Sequence, residues 1–176
     1  MASWVRFVSS AAIAAALLFA IGTGAVQGAS EGAGSDTLKP MPELLDDQDS
    51  DRFPGDPPEH RVVYMFNKAD EAYQTAILNS ISALITQYDD NVAIAVVAIG
   101  PGLHVLGKIP ERPATPSIYE RVENLAKHYN VRWIACGNTM HTLGWAQSDI
   151  RPFAEYAEVG AAALMALQED GFAYIN

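Results

Sequence analysis

From residue 60 onward the chain alternates between short runs that are apolar at almost every position and longer stretches in which apolar residues return every third or fourth place. RVVYMF (61–66) and VAIAVVAI (92–99) are of the first kind, and such runs predict strands buried on both faces of a sheet. Between them Asp70 stands where a helix cap belongs, and Tyr73, Ile77, Ile81, Leu84 and Tyr88 form one stripe that Asp89, Asp90 and Asn91 close. Gly100, Pro101 and Gly102 end the second strand. A stretch with three prolines (107–116) reads as a surface loop. Thr115 followed by Pro116 then opens a helix carrying Ile118, Val122, Leu125 and Tyr129.

The pattern continues with a third strand (131–135), Cys136, a short helix through Leu143 and a turn at 149–152. A brief fourth strand (157–160), a helix (161–168) stopped before Gly171, and a last strand (172–175) complete it. Strands and helices in alternation predict a three-layer α/β/α sandwich around a mostly parallel five-stranded sheet. Ligands of such sheets gather at the carboxyl ends of the strands. Three segments arrive there, and they nominate Asn67, Gly100, Gly102, His104, Gly137, Asn138 and Thr139 as candidate binding residues beside Cys136.

The first sixty residues follow different rules. Residues 1–29 place Arg6, an apolar run AAIAAALLFAI (11–21) and then small residues in order, as a secretory signal peptide does. The run is shorter than the roughly 20 residues that span a bilayer, so no stable membrane insertion is expected once it is removed. Residues 30–59 are rich in Pro, Gly and acids without an apolar period, which predicts a flexible leader. Residues 60–176 form the folded domain, and the expected location is periplasmic or otherwise extracytoplasmic.

Charge excludes some partners. The chain has 21 Asp and Glu against 11 Lys and Arg, a formal net charge of -10. Such a surface repels phosphate backbones, so nucleic acid is not an expected partner. The sequence has one cysteine, Cys136, so no intramolecular disulfide can form and an exported thiol is either shielded or used. Its position between a strand and a helix start places it near unpaired main-chain NH groups, which favour a thiolate. His60, His104, His128 and His141 show no ligand spacing, so no metal is expected, and the absence of a dinucleotide or phosphate-loop motif leaves no expected cofactor. Asn138 and Thr139 are expected as helix caps, and Trp133 and Trp145 as core or interface aromatics.

The order of elements, the strand ending in GPGL, the segment NVRWIACGNTM and the terminal GFAYI resemble the DsrE/DsrF-like family of small sulfur-handling proteins over residues 61–176. The resemblance implies a flavodoxin-like fold and homo-oligomers or mixed hexamers. In family members that relay sulfur, a cysteine at the end of a central strand carries a persulfide, and Cys136 matches that position. The tRNA thiolation served by cytoplasmic members is not implied for an exported chain. Two readings follow: a sulfur carrier or sulfurtransferase that uses Cys136 and exchanges sulfur with a donor or acceptor protein, or a noncatalytic oligomeric module that holds a small ligand in the same fold.

Overall fold

The computed structural model describes residues 52–176, so the expected signal peptide (1–29) and the expected leader as far as residue 51 lie outside the described residues. The fold is an α/β sandwich with five strands: β1 (His60–Phe66), β2 (Val92–Ala98), β3 (Arg132–Cys136), β4 (Ala154–Ala157) and β5 (Ala173–Ile175). Their order across the sheet is β4-β3-β2-β1-β5, and every pairing is parallel. Four α-helices connect them: α1 (Glu71–Tyr88), α2 (Pro116–His128), α3 (Gly137–Leu143) and α4 (Gly160–Glu169).

The apolar runs are buried because β1 and β2 sit in the middle and are covered from both sides. Tyr64, Phe66, Val96 and Trp133 face one layer, formed by Ile77, Leu78 and Ile81 of α1 and Ile118, Val122 and Leu125 of α2. Val63, Ala95, Val97 and Ile134 face the other, where Leu164 and Leu167 of α4 cover them with Phe172. Trp133 is therefore wholly a core residue, edge-on to Phe66 with centroids 5.7 Å apart. Among the described residues one helix covers the second face, against two long helices on the first. Tyr174, on edge strand β5, stays exposed.

Several helix ends follow the sequence. Asp70 accepts the NH of Tyr73 at 2.8 Å, and Gly171, at φ +87°, follows α4 and donates its NH to Gln168. Thr115 occupies the cap position of α2, but its hydroxyl turns to Glu71 and Ser117 instead of capping.

Three elements differ from expectation. The turn after β2 continues as a 3-10 helix (Gly100–Leu106) that carries Leu103, Val105 and Leu106 into the core. The fourth strand is Ala154–Ala157 and not 157–160: Trp133 to Cys136 draw Ala154 to Ala157 into register, and Gly160 instead starts α4. The third strand includes Cys136, which pairs with Ala157 and also caps α3. Before β1, Arg52 grips the Asp90 carboxylate at the end of α1 with both terminal nitrogens, and Asn91 accepts the NH of Glu59.

Candidate functional site

Cys136 ends a central strand and begins a helix, so its side chain lies where the sheet edge meets two helix starts. Its sulfur sits on the side of the sheet covered by α4, and Gly160, the first residue of α4, donates its NH to Sγ at 3.2 Å. That close approach requires glycine. A Cβ on Gly160 would lie 2.8 Å from Cys136 Cβ and 2.9 Å from Ile99 Cγ1.

The thiol is 3% exposed. Burial is the strongest influence on it and pushes its pKa up, because a thiolate loses water there. Donors together outweigh burial and bring the pKa below its ordinary value. They are the Thr139 hydroxyl, then the main-chain NH of Thr139 and of Gly160, with a smaller part from the NH of Asn138. Asn138 gives that NH to the Glu158 carbonyl at 2.9 Å, which explains its small share. The site is thus a buried sulfur that accepts the Gly160 NH, in surroundings that favour an anion on sulfur.

Of the expected site residues, the structure brings some together and separates others. Gly100 donates its NH to Thr139 Oγ1 at 3.0 Å, which ties the end of β2 to the first turn of α3 and to the thiol. Thr139 is therefore not a helix cap: Cys136 holds the cap position and makes no side-chain capping bond. Asn138 does not cap either. Gly137 lies under the Tyr156 ring, whose hydroxyl would come within 2.5 Å of a Cβ there. Asn67 and Gly102 meet each other at the end of β1, where Gly102 packs directly on Phe66 O and Asn67 N. The Asn67 Oδ1 is buried without a hydrogen-bond partner, and its residue has no bond to the Cys136 network.

His104 departs furthest from expectation. Expected among the binding residues beside the thiol, it is instead buried, edge-on to Trp145 at 5.4 Å, against the core layer that α1 and α2 cover. Its imidazole is held below its ordinary pKa, first by burial and then by the charge of Arg112, against an opposing pull from Glu111. The 3-10 helix after β2 carries it there, and no glycine count or loop signal marks such a helix.

Sequence reasoning missed Gly160, Tyr156 and Glu158. The signal was present in Gly160, a glycine just before the uncharged run AAALMALQ, but a helix-starting glycine and a strand-ending one look alike without the pairing. The concavity between α1 and α2, about 370 Å³ and lined by residues including Ile85, Arg121, Leu125 and Tyr129, contains none of the expected site residues. A smaller one, about 280 Å³, runs beside β4 and is bordered by Ala157, which pairs with Cys136, and by Tyr156, which lies over Gly137. Among the described residues no three His, Cys, Asp or Glu side chains come together as metal ligands would.

A model of the DsrE/DsrF-like family matches residues 60–176. Among solved structures, a protein of unknown function from Methanobacterium thermoautotrophicum, MTH1491, is similar at 26% identity with a TM-score of 0.59, over 66% of this chain and 98% of that one. No curated protein matches the chain.

Proposed function

The chain belongs to the DsrE/DsrF-like family, and from that premise we propose that it is a sulfur carrier or sulfurtransferase whose Cys136 bears the transferred sulfur. The observation that carries the reading is the main-chain NH of Gly160 at 3.2 Å from Sγ, which favours an anionic, nucleophilic sulfur in spite of burial.

The step balances without an outside oxidant. The Cys136 thiolate attacks the outer sulfur of a persulfide donor, R–S–SH. The Cys136 S–S bond forms as the donor S–S bond breaks, the bonding electron pair leaves with the donor as R–S⁻, and the proton stays on the transferred sulfur. Attack by an acceptor thiolate on that outer sulfur reverses the bookkeeping and regenerates Cys136. The thiol is 3% exposed, so exchange with a donor or acceptor requires the residues over it, Gly160 among them, to move. The donor and acceptor are thiol proteins or small persulfides. The chain acts outside the cytoplasm, as residues 1–29 support, and amino-terminal sequencing from native cells is expected to begin between Val26 and Glu31.

Burial of the thiol favours a second reading, a noncatalytic binding module in which Cys136 is a small core residue. The test is the alkylation rate of the folded protein against pH, followed by mass spectrometry after exposure to a persulfide donor, with Cys136→Ser as control. Sulfur gain on Cys136 of the folded protein supports transfer. A thiol that reacts only on unfolding and never gains sulfur leaves the binding module standing.

A further inference from the structure

We propose that residues 52–59 form a latch that Arg52 closes on Asp90, so that the folded unit begins at Arg52 and the chain enters it at the pole opposite Cys136. The need for a latch arises in α1. That helix ends at Tyr88 with no basic residue in its last turn, and Asp89 and Asp90 follow, so two carboxylates stand at the negative end of the helix dipole. The cation that suits this end comes from 38 residues earlier in the chain.

Arg52 Nη1 donates to Asp90 Oδ1 at 2.8 Å and Nη2 to Oδ2 at 3.2 Å, the two-pronged geometry in which a guanidinium holds a carboxylate best. Nη2 also reaches the main-chain carbonyl of Asp90 at 3.2 Å and that of Asp56 at 2.6 Å. The side chain of Arg52 is only 9% exposed, although most of the segment that carries it lies on the surface, and arginines on a surface are ordinarily open to water. The rest of the segment folds around this grip. Gly55 donates its NH to Asp90 Oδ2 at 3.2 Å, and Phe53 donates its NH to Asp56 Oδ2 at 2.9 Å. At its far end Glu59 gives its NH to Asn91 Oδ1 at 2.9 Å and its carboxylate accepts Asn91 Nδ2 at 3.1 Å, which delivers the chain into β1. Asp90 stands just ahead of β2, whose Val92 pairs with His60 at the start of β1, whereas Cys136 follows Ala135, the partner of Ala98 at the end of β2. The latch and the row of the thiol therefore stand at opposite ends of the strands, roughly 23 Å apart.

Trypsin cuts after arginine and lysine, so the Arg52–Phe53 bond reports the latch directly, and the Lys108–Ile109 bond, which is exposed, reports opening elsewhere. The full chain is expected to resist cutting at Arg52. Asp90→Ala is expected to be cut there about tenfold faster, with the rate at Lys108 unchanged. Asp89→Asn removes a charge from the same helix end without removing a partner of Arg52, and it is expected to be cut like the parent. Hydrogen exchange in Arg52→Gln reads the same latch without a protease. The main-chain NH groups of Asp89 and Asn91, bonded to the carbonyls of Ile85 and Tyr88, are expected to exchange about tenfold faster, with the amides of β2 unchanged. If Asp90→Ala also opens the Lys108 bond, the exchange comparison decides. Equal cutting at Arg52 in the parent and Asp90→Ala, or cutting of Asp89→Asn as fast as Asp90→Ala, overturns the latch. So does exchange at Asp89 and Asn91 that stays at the parent rate or rises no more than that of β2.

Discussion

Gly160 donates its main-chain NH to the sulfur of Cys136 at 3.2 Å, a contact between residues 24 apart in the chain that joins the start of α4 to the end of β3. A methyl group at 160 meets Cys136 Cβ and Ile99 Cγ1 below 3.0 Å, and both are held by the sheet. Gly160→Ala is therefore expected to lose about 1–3 kcal/mol in spite of alanine's better helix propensity, since overpacking outweighs that gain. Denaturant unfolding measures the loss. The same shift moves the NH away from Sγ, so the alkylation midpoint is expected to rise; an equally stable variant with an unmoved midpoint would contradict the contact.

His104 gives the fold a weakness toward mild acid. Burial, then Arg112, depress its folded pKa, so the unfolded chain takes up a proton first as pH falls. The stability contributed by the neutral ring is complete above the unfolded value of 6.5 and is lost as pH falls from there through the depressed folded value. His104→Leu is expected to flatten the slope of stability against pH just below that value while leaving a core-sized side chain beside Trp145. Urea midpoints across that range read the slope, and an unflattened slope removes the assignment.

The sandwich and the position of the thiol were legible because they depend on patterns that the chain repeats. Uniform apolar runs at β1 and β2 mean burial on both faces, and Cys136 follows a third, shorter run that is apolar from Trp133 to Ala135. The placement of His104 was not legible, since a 3-10 turn after Gly100 decides it and the residues around it look like an ordinary loop. The fourth strand was displaced by three residues for a similar reason. Ala154 to Ala157 gain their strand character from pairing with β3, and that pairing is absent from any local window. Thr139 carried the signal of a cap, and only the fold shows that its acceptor lone pair is taken by Gly100.

At the open edge of the sheet Arg132 of β3 clasps Glu155 of β4 through two nitrogens, at 2.9 and 2.8 Å. The guanidinium holds the Glu155 carboxyl below its usual pKa, against the raising effect of burial. A lowered folded pKa stabilises above the unfolded carboxyl value, and that stability is lost as pH falls through the folded one. Both side chains are nearly half exposed, so solvent screening limits the pair to about 1 kcal/mol or less. Glu155→Gln is expected to cost that much at neutral pH and nothing in strong acid. A cost that persists at low pH would mean that the amide disturbs packing and that the ion pair contributes nothing.

The last expectation concerns assembly, and it follows from how thinly the described residues cover the second face of the sheet. Met165 of α4 is 61% exposed, with Val159 and Tyr156 exposed nearby, and α4 carries no charge from Gly160 to Gln168. Residues 60–176 carry 12 Asp and Glu against 8 Lys and Arg, so charged faces of two copies repel one another and this neutral apolar face is where they meet at least cost. Light scattering on the folded domain is expected to give a mass above the monomer at micromolar concentration. Added salt is expected to strengthen the association, because it screens repulsion while leaving apolar burial in place. Met165→Asp puts a charge at the centre of the face and is expected to give monomers with unchanged unfolding temperature at low concentration. Were the parent chain monomeric, or the variant as associated as the parent, α4 would be a solvent face and the oligomer, if any, would form elsewhere.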